Sequence, residues 1–186
     1  KSVGNDLKVF INGTLDLTRP AAGVTRVVLN GSSDSDTLDA SQFTGPVTLQ
    51  GKAGRDQLTG GSNNDLLYGG AGDDELRGNA GNDILVGGDG DDYLDGGPGL
   101  DLLIGGLGAD ELHAVAGGDL LIGARTAFDA NSIALSAILD EWASARSYET
   151  RIANLLGPGS DPRANGGYFL KPSGANATVF EDSATD

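Results

Sequence analysis

Residues 69–95 read GGAGDDELRGNAGNDILVGGDGDDYLD. The stretch is three units of nine, with glycine at the first and fourth places, aspartate at the sixth and leucine at the eighth. Working outward, the same frame runs from Gly51 to Ile122, opening on GKAGRDQLT and closing on AVAGGDLLI. The sixth place is aspartate throughout: Asp56, Asp65, Asp74, Asp83, Asp92, Asp101, Asp110 and Asp119. The eighth is leucine throughout: Leu58, Leu67, Leu76, Leu85, Leu94, Leu103, Leu112 and Leu121. A fixed short period of this kind defines a stacked-repeat architecture before any secondary structure is read.

Each unit divides physically. Its glycine-rich first six residues suit a tight turn with inward carbonyls. At the fourth place of the second unit Asn63 replaces glycine, as a residue that tolerates the left-handed region. The last three residues suit a very short strand, in which the eighth-place leucine points one way and its neighbours the other. Two turns and two strands make a coil of about 18 residues, and stacked coils bury a ladder of leucines. The turns supply carbonyls and the sixth place supplies carboxylates, the hard oxygen ligands that calcium takes six to eight at a time.

These units resemble GGxGxDxUx, the repeat of RTX (hemolysin-type) calcium-binding proteins. The resemblance implies an all-β fold, a right-handed parallel β-roll with calcium between turns stacked 18 residues apart. It also implies the ligands. A turn gives the carbonyls of its second and fourth residues with its aspartate. The turn above gives its first and third carbonyls with its own aspartate. On this chain Asp56 pairs with Asp74, Asp65 with Asp83, Asp74 with Asp92, Asp83 with Asp101, Asp92 with Asp110, and Asp101 with Asp119. The carbonyls fall on Gly54, on Gly61 and Asn63, on Gly69, Gly70, Ala71 and Gly72, and on Gly78, Ala80 and Gly81. They continue through Gly87, Gly88, Asp89 and Gly90, then Gly96, Gly97 and Gly99, to Gly105. The total is about six ions, or about +12 against a formal charge of −15. Ala114 and Val115 in place of the opening glycines weaken the Asp119 site, and Lys52 and Arg55 weaken the Asp56 site. Asp34 and Asp36 are candidates for one further site.

The charge argues against nucleic acid and anionic membrane as partners, since almost nothing here replaces the counterions of phosphate. No cysteine is present, which removes disulfides and thiolate zinc sites. No apolar run is long enough to span a membrane. No HExxH, GxSxG or P-loop pattern occurs, and paired carboxylates held by calcium are poor general acids. His113 is the sole histidine, so no metal or catalytic role is expected of it.

The outward side chains differ between the two sides of the coil. One carries Gln57, Glu75, Tyr93 and Glu111 with Thr59, Arg77, Asp95 and His113. The other carries Leu66, Ile84, Leu102 and Leu120 with Tyr68, Val86, Ile104 and Ile122. An apolar patch of that size needs a cover. The nearest candidate is a helix over residues 130–145 bearing Leu135, Ile138, Leu139 and Trp142, capped by Asp129 or Asn131. A second helix is expected over 147–156, then a hairpin of 167–172 with 177–182. This block is similar to segments beside such repeats in large bacterial extracellular proteins, and the closing DSATD reads as the approach to another repeat.

The expected organisation is an irregular β cap and starting coils over 1–50, the calcium roll over 51–122, and a helical and hairpin segment over 123–186. The expected function is a non-catalytic, calcium-rigidified structural module of a secreted bacterial surface protein, exported by a type I system. The alternatives are a self-assembling filament or surface-layer subunit, and a secretion or stability module of a secreted protease, lipase or epimerase. The routes to a protein partner or to self-association are the apolar sheet face and the solenoid ends.

Overall fold

The computed structural model of the chain describes residues 6–11, 14–20, 24–156, 170 and 179–180. Two parallel sheets face each other across the coil. One stacks the strands Val27–Asn30, Val47–Ala53, Leu66–Ala71, Ile84–Asp89, Leu102–Leu107 and Leu120–Thr126 in that order. The other stacks Thr37–Asp39, Gln57–Thr59, Glu75–Arg77, Tyr93–Asp95 and Glu111–His113. The register puts Leu67 on Leu85, Leu85 on Leu103, Leu58 on Leu76 and Leu76 on Leu94, always 18 residues apart. This is the parallel β-roll of the repeat reading. Leu38, Leu49, Leu58, Leu67, Leu76, Leu85, Leu94 and Leu103 have no exposed surface and form one continuous core.

Stacking begins upstream of Gly51. Val27 lies on Val47 and Leu38 on Leu58, so the first coil has a 20-residue step rather than 18. It carries Ala40 and Phe43, both buried in the leucine core. Before it, Asp6–Ile11 and Thr14–Pro20 form an antiparallel hairpin rather than a coil.

Helix α1 spans Ser132–Trp142, and its cap is Asn131, whose Oδ1 accepts the Ala134 N–H at 3.1 Å. Asp129 instead holds the preceding turn, accepting the Thr126 N–H at 2.9 Å. Leu135, Ile138, Leu139 and Trp142 of α1 form a second core with Ile84, Val86, Leu102 and Ile104 of the roll. The chain's own helix thus packs on the apolar sheet face, as expected of the nearest cover, with Leu66, Tyr68, Leu120 and Ile122 only partly buried. Helix α2, Tyr148–Leu156, adds Leu155 to this core. Buried Glu141 of α1 accepts a bond from Asn154 of α2 at 2.8 Å. The expected hairpin lies outside the described residues except for Leu170 and Val179–Phe180, and the latter pair runs antiparallel to Arg125–Thr126. No helix among the described residues is long and apolar enough to cross a membrane.

Candidate metal centres in the stacked turns

Each sixth-place aspartate ends a turn and starts a strand, so its side chain points into the gap beneath the coil it belongs to. There one oxygen accepts a backbone N–H one coil earlier, that of Val47 for Asp65 at 2.8 Å and that of an aspartate for the others. Asp74 takes Asp56 N–H at 2.8 Å, Asp83 takes Asp65 at 2.7 Å and Asp92 takes Asp74 at 2.8 Å. Asp101 takes Asp83 at 2.8 Å, Asp110 takes Asp92 at 3.0 Å and Asp119 takes Asp101 at 2.9 Å. The aspartates therefore form two ladders, one along each row of turns.

The second oxygen is the informative one. Oδ2 of Asp56, Asp74, Asp83, Asp92 and Asp101 is buried and has no hydrogen-bond partner. A buried carboxylate oxygen without a donor is costly, and a native site that keeps one calls for a compensating group. Burial pushes the Asp83 and Asp92 carboxyls up to about 8 and those of Asp74 and Asp101 up to about 6. Neighbouring carboxylates in the ladder push the same way.

Backbone carbonyls surround these oxygens. A Cβ built on Gly69 would stand 2.4 Å from Asp74 Oδ2 and 2.6 Å from the Gly87 carbonyl oxygen. On Gly78 it would meet Asp83 Oδ2 at 2.4 Å and the Gly96 oxygen at 2.6 Å. The first-place carbonyl of one turn therefore reaches down to the free carboxylate oxygen of the turn below. Second-place and fourth-place carbonyls reach up: a Cβ on Gly88 would lie 2.0 Å from Gly70 O, and one on Gly90 2.4 Å from Gly72 O. The third-place carbonyls of Asp89 and Leu107 point down too, accepting the N–H of Gly72 at 2.6 Å and of Gly90 at 2.7 Å. At these glycines there is no room for a Cβ.

These residues fit calcium. The gap offers carbonyls and carboxylates only, with no nitrogen or sulfur, and is the hard oxygen set calcium prefers. Among the described residues no three carboxylate, imidazole or thiol groups gather at one point. A cation here must draw most of its ligands from backbone, as the repeat pattern requires. When bound, calcium would supply the positive charge that the buried carboxylates lack.

Not every expected residue behaves alike. Asn63 does not take the left-handed backbone; among the described residues the non-glycine residues with positive φ are Lys52 at 86° and Asn79 at 74°. The turn 60–65 packs on the longer first coil, where the Asn63 side-chain amide donates to the Thr44 carbonyl. Asp34 is exposed, and Asp36 is buried with its Oδ2 taken by Ser32. His113 contacts Glu111 at 2.6 Å and stacks near Tyr93, with ring centroids 4.9 Å apart.

The fifth place carries a second ladder. Ala109 N–H donates to Asp91 Oδ1 at 2.9 Å and Asp91 N–H to Asp73 Oδ1 at 3.1 Å. On the other row Leu100 N–H donates to Asn82 Oδ1 at 3.0 Å, and Asn82 N–H to Asn64 Oδ1 at 2.9 Å. The signal was available in the sequence as Asp or Asn at the fifth place of four successive-row units.

The RTX calcium-binding nonapeptide repeat family matches in four overlapping copies, over residues 48–76, 68–103, 77–112 and 86–121. No curated protein and no solved structure matches the chain.

Proposed function

Starting from RTX calcium-binding repeats over residues 48–121, we propose that the chain is a calcium-dependent structural module of a secreted bacterial protein and carries out no catalysis. The observation that supports this most is the set of buried Oδ2 atoms of Asp56, Asp74, Asp83, Asp92 and Asp101, the first four of them beside the first-place carbonyl of the turn above. Such a set is unfavourable alone and favourable around a divalent cation. Ligand binding to the folded state contributes stability in proportion to the logarithm of ligand concentration. The roll is therefore weak where calcium is scarce, as in a cytosol, and firm outside the cell. This fits export of an unfolded chain followed by folding at the surface. Equilibrium dialysis against radioactive calcium tests it: several ions should be retained per chain at neutral pH, and retention of none would remove the reading.

A second reading, end-to-end assembly, is favoured by one feature. The strand Glu111–His113 is the last of its sheet, and Val115 and Leu121 in the last coil are 63% and 42% exposed. Open sheet edges of this kind template further stacking. Calcium-dependent growth of particle size in light scattering would favour it, and a constant size would not.

A further inference from the structure

The two rows of turns do not begin as they continue. In Asp65, Oδ2 accepts the backbone N–H of Gly61 at 2.6 Å. In Asp36 the same oxygen accepts the N–H of Ser32 at 2.5 Å and its hydroxyl at 2.9 Å. Gly61 and Ser32 hold the same place, four residues before the aspartate and second in the turn. Turn 31–36 is the first of one row, and turn 60–65 is the first nonapeptide turn of the other.

Later turns are built differently at that place. The second residue has positive φ at Lys52 (86°), Gly70 (124°), Asn79 (74°), Gly88 (128°), Gly97 (87°) and Gly106 (126°). Neither Ser32 nor Gly61 does. With positive φ the carbonyl faces the turn above: a Cβ on Gly70 would stand 2.1 Å from Lys52 O, and one on Gly97 2.0 Å from Asn79 O. In these later turns the carboxylate oxygen of Asp56, Asp74, Asp83, Asp92 and Asp101 is the one without a donor.

We propose that turns 31–36 and 60–65 are closed by the protein itself and take no calcium. The N–H of Ser32 or Gly61 fills the position at the carboxylate oxygen that a cation fills in later turns. A donor hydrogen on the lone pair that faces the gap competes with a cation for that lone pair, and in Asp36 the Ser32 N–H and hydroxyl together occupy both lone pairs of Oδ2. A charge-assisted bond of this type also offsets part of the carboxylate's burial. The inference rests on the calcium reading above and refines it. Calcium sites then lie at Asp56 with Asp74, Asp74 with Asp92, Asp92 with Asp110, Asp83 with Asp101, and Asp101 with Asp119. The pairs Asp65 with Asp83 and Asp36 with Asp56 hold none. The first row ends at Asp110, because the sixth place above it is Phe128. The count is five, not six.

Turn 31–36 belongs to the coil that holds Leu38 and Phe43 in the core, and turn 60–65 packs directly on that coil. In a solenoid each coil contacts only its neighbours, so a coil that needs no metal is a template on which metal-dependent coils add.

Native mass spectrometry of the full chain in saturating calcium decides the matter. The wild type should carry five ions, Asp65→Asn five, and Asp83→Asn four, since Asp83 serves one site in this scheme and two otherwise. Six ions in the wild type, or a drop of two in Asp83→Asn, overturns the proposal. Should Asp65→Asn fail to fold, the wild-type and Asp83→Asn counts decide alone. A wild type that binds no calcium overturns the function proposed above, which is a different failure.

Discussion

Asp92 Oδ1 accepts the Asp74 backbone N–H at 2.8 Å, while Asp92 Oδ2 is buried with no hydrogen-bond partner. One carboxylate thus ties two coils together and offers its other oxygen to the gap between turns. Its neighbour Asp91 is exposed and makes only ladder contacts, through Ala109 N–H at 2.9 Å and its own N–H to Asp73.

The pair gives a test of the register. Asp92→Ala leaves the buried Asp74 N–H without its acceptor, worth roughly 1–3 kcal/mol, and also removes a ligand from two calcium sites. Asp91→Ala loses one exposed hydrogen bond, worth about 1 kcal/mol, and keeps every ion. Calcium titration of both variants checks this, and equal losses would mean that the sixth place is not the ligand.

Much of this site is legible in the sequence because the period fixes it. A sixth-place aspartate repeated eight times leaves one register for the leucines and one for the carboxylates. The apolar face and its covering helix follow from the same sorting, since Ile84 and Leu102 share a side and Leu135 and Ile138 share a helical stripe. What the period hides is departure from itself. Turn 60–65 keeps the motif, yet it stacks on a 20-residue coil rather than a nonapeptide coil, so Asn63 and Gly61 take other backbone geometry. The hydrogen bond from Gly61 to Asp65 depends on a φ value that no residue name reveals. The hairpin at 6–20 likewise alternates like strands of the roll, and only its pairing separates it.

The buried carboxyls set a pH dependence. Asp83 and Asp92 sit at about 8, and Asp74 and Asp101 at about 6, all above the unfolded value near 4. The metal-free folded chain therefore binds more protons than the unfolded chain between those limits. Its stability should rise as pH falls from 8 toward 5 and fall as pH rises through 6 and 8. Calcium needs the deprotonated forms, so its affinity should change the opposite way, strengthening over the same window. Melting in chelator and calcium titration at pH 5.5 and 8 check the two signs; flat responses would contradict the burial of these carboxylates.

The glycine cradle predicts a contrast. Gly88 has φ of 128°, and a Cβ there would stand 2.0 Å from Gly70 O. Gly88→Ala should destabilise by more than the roughly 1–2 kcal/mol of the left-handed backbone alone, and should weaken calcium binding. At Gly118 a Cβ meets only Leu100 Cδ2 at 3.3 Å, and φ is not positive. Gly118→Ala should leave calcium binding unchanged and alter stability by under about 1 kcal/mol. Thermal melting of the two variants in calcium measures the difference.

Leu135 has no exposed surface and lies between α1 and the strands of Ile84 and Leu102. Leu135→Ala should destabilise by about 2–5 kcal/mol and leave the number of bound ions unchanged, because the helix covers the face opposite the leucine core and not the turns. Trp142 donates from its indole N–H to the Gly118 carbonyl, so its fluorescence reports whether α1 remains docked.

The most direct measurement of the central claim is circular dichroism of the full chain through a cycle of chelator and calcium. The account predicts that excess EGTA at pH 8 abolishes most of the β signal of residues 51–122, since buried aspartates stacked about 5 Å apart then repel without a counter-charge. Millimolar calcium should restore the signal. A spectrum and melting temperature that EGTA leaves unchanged would contradict the account.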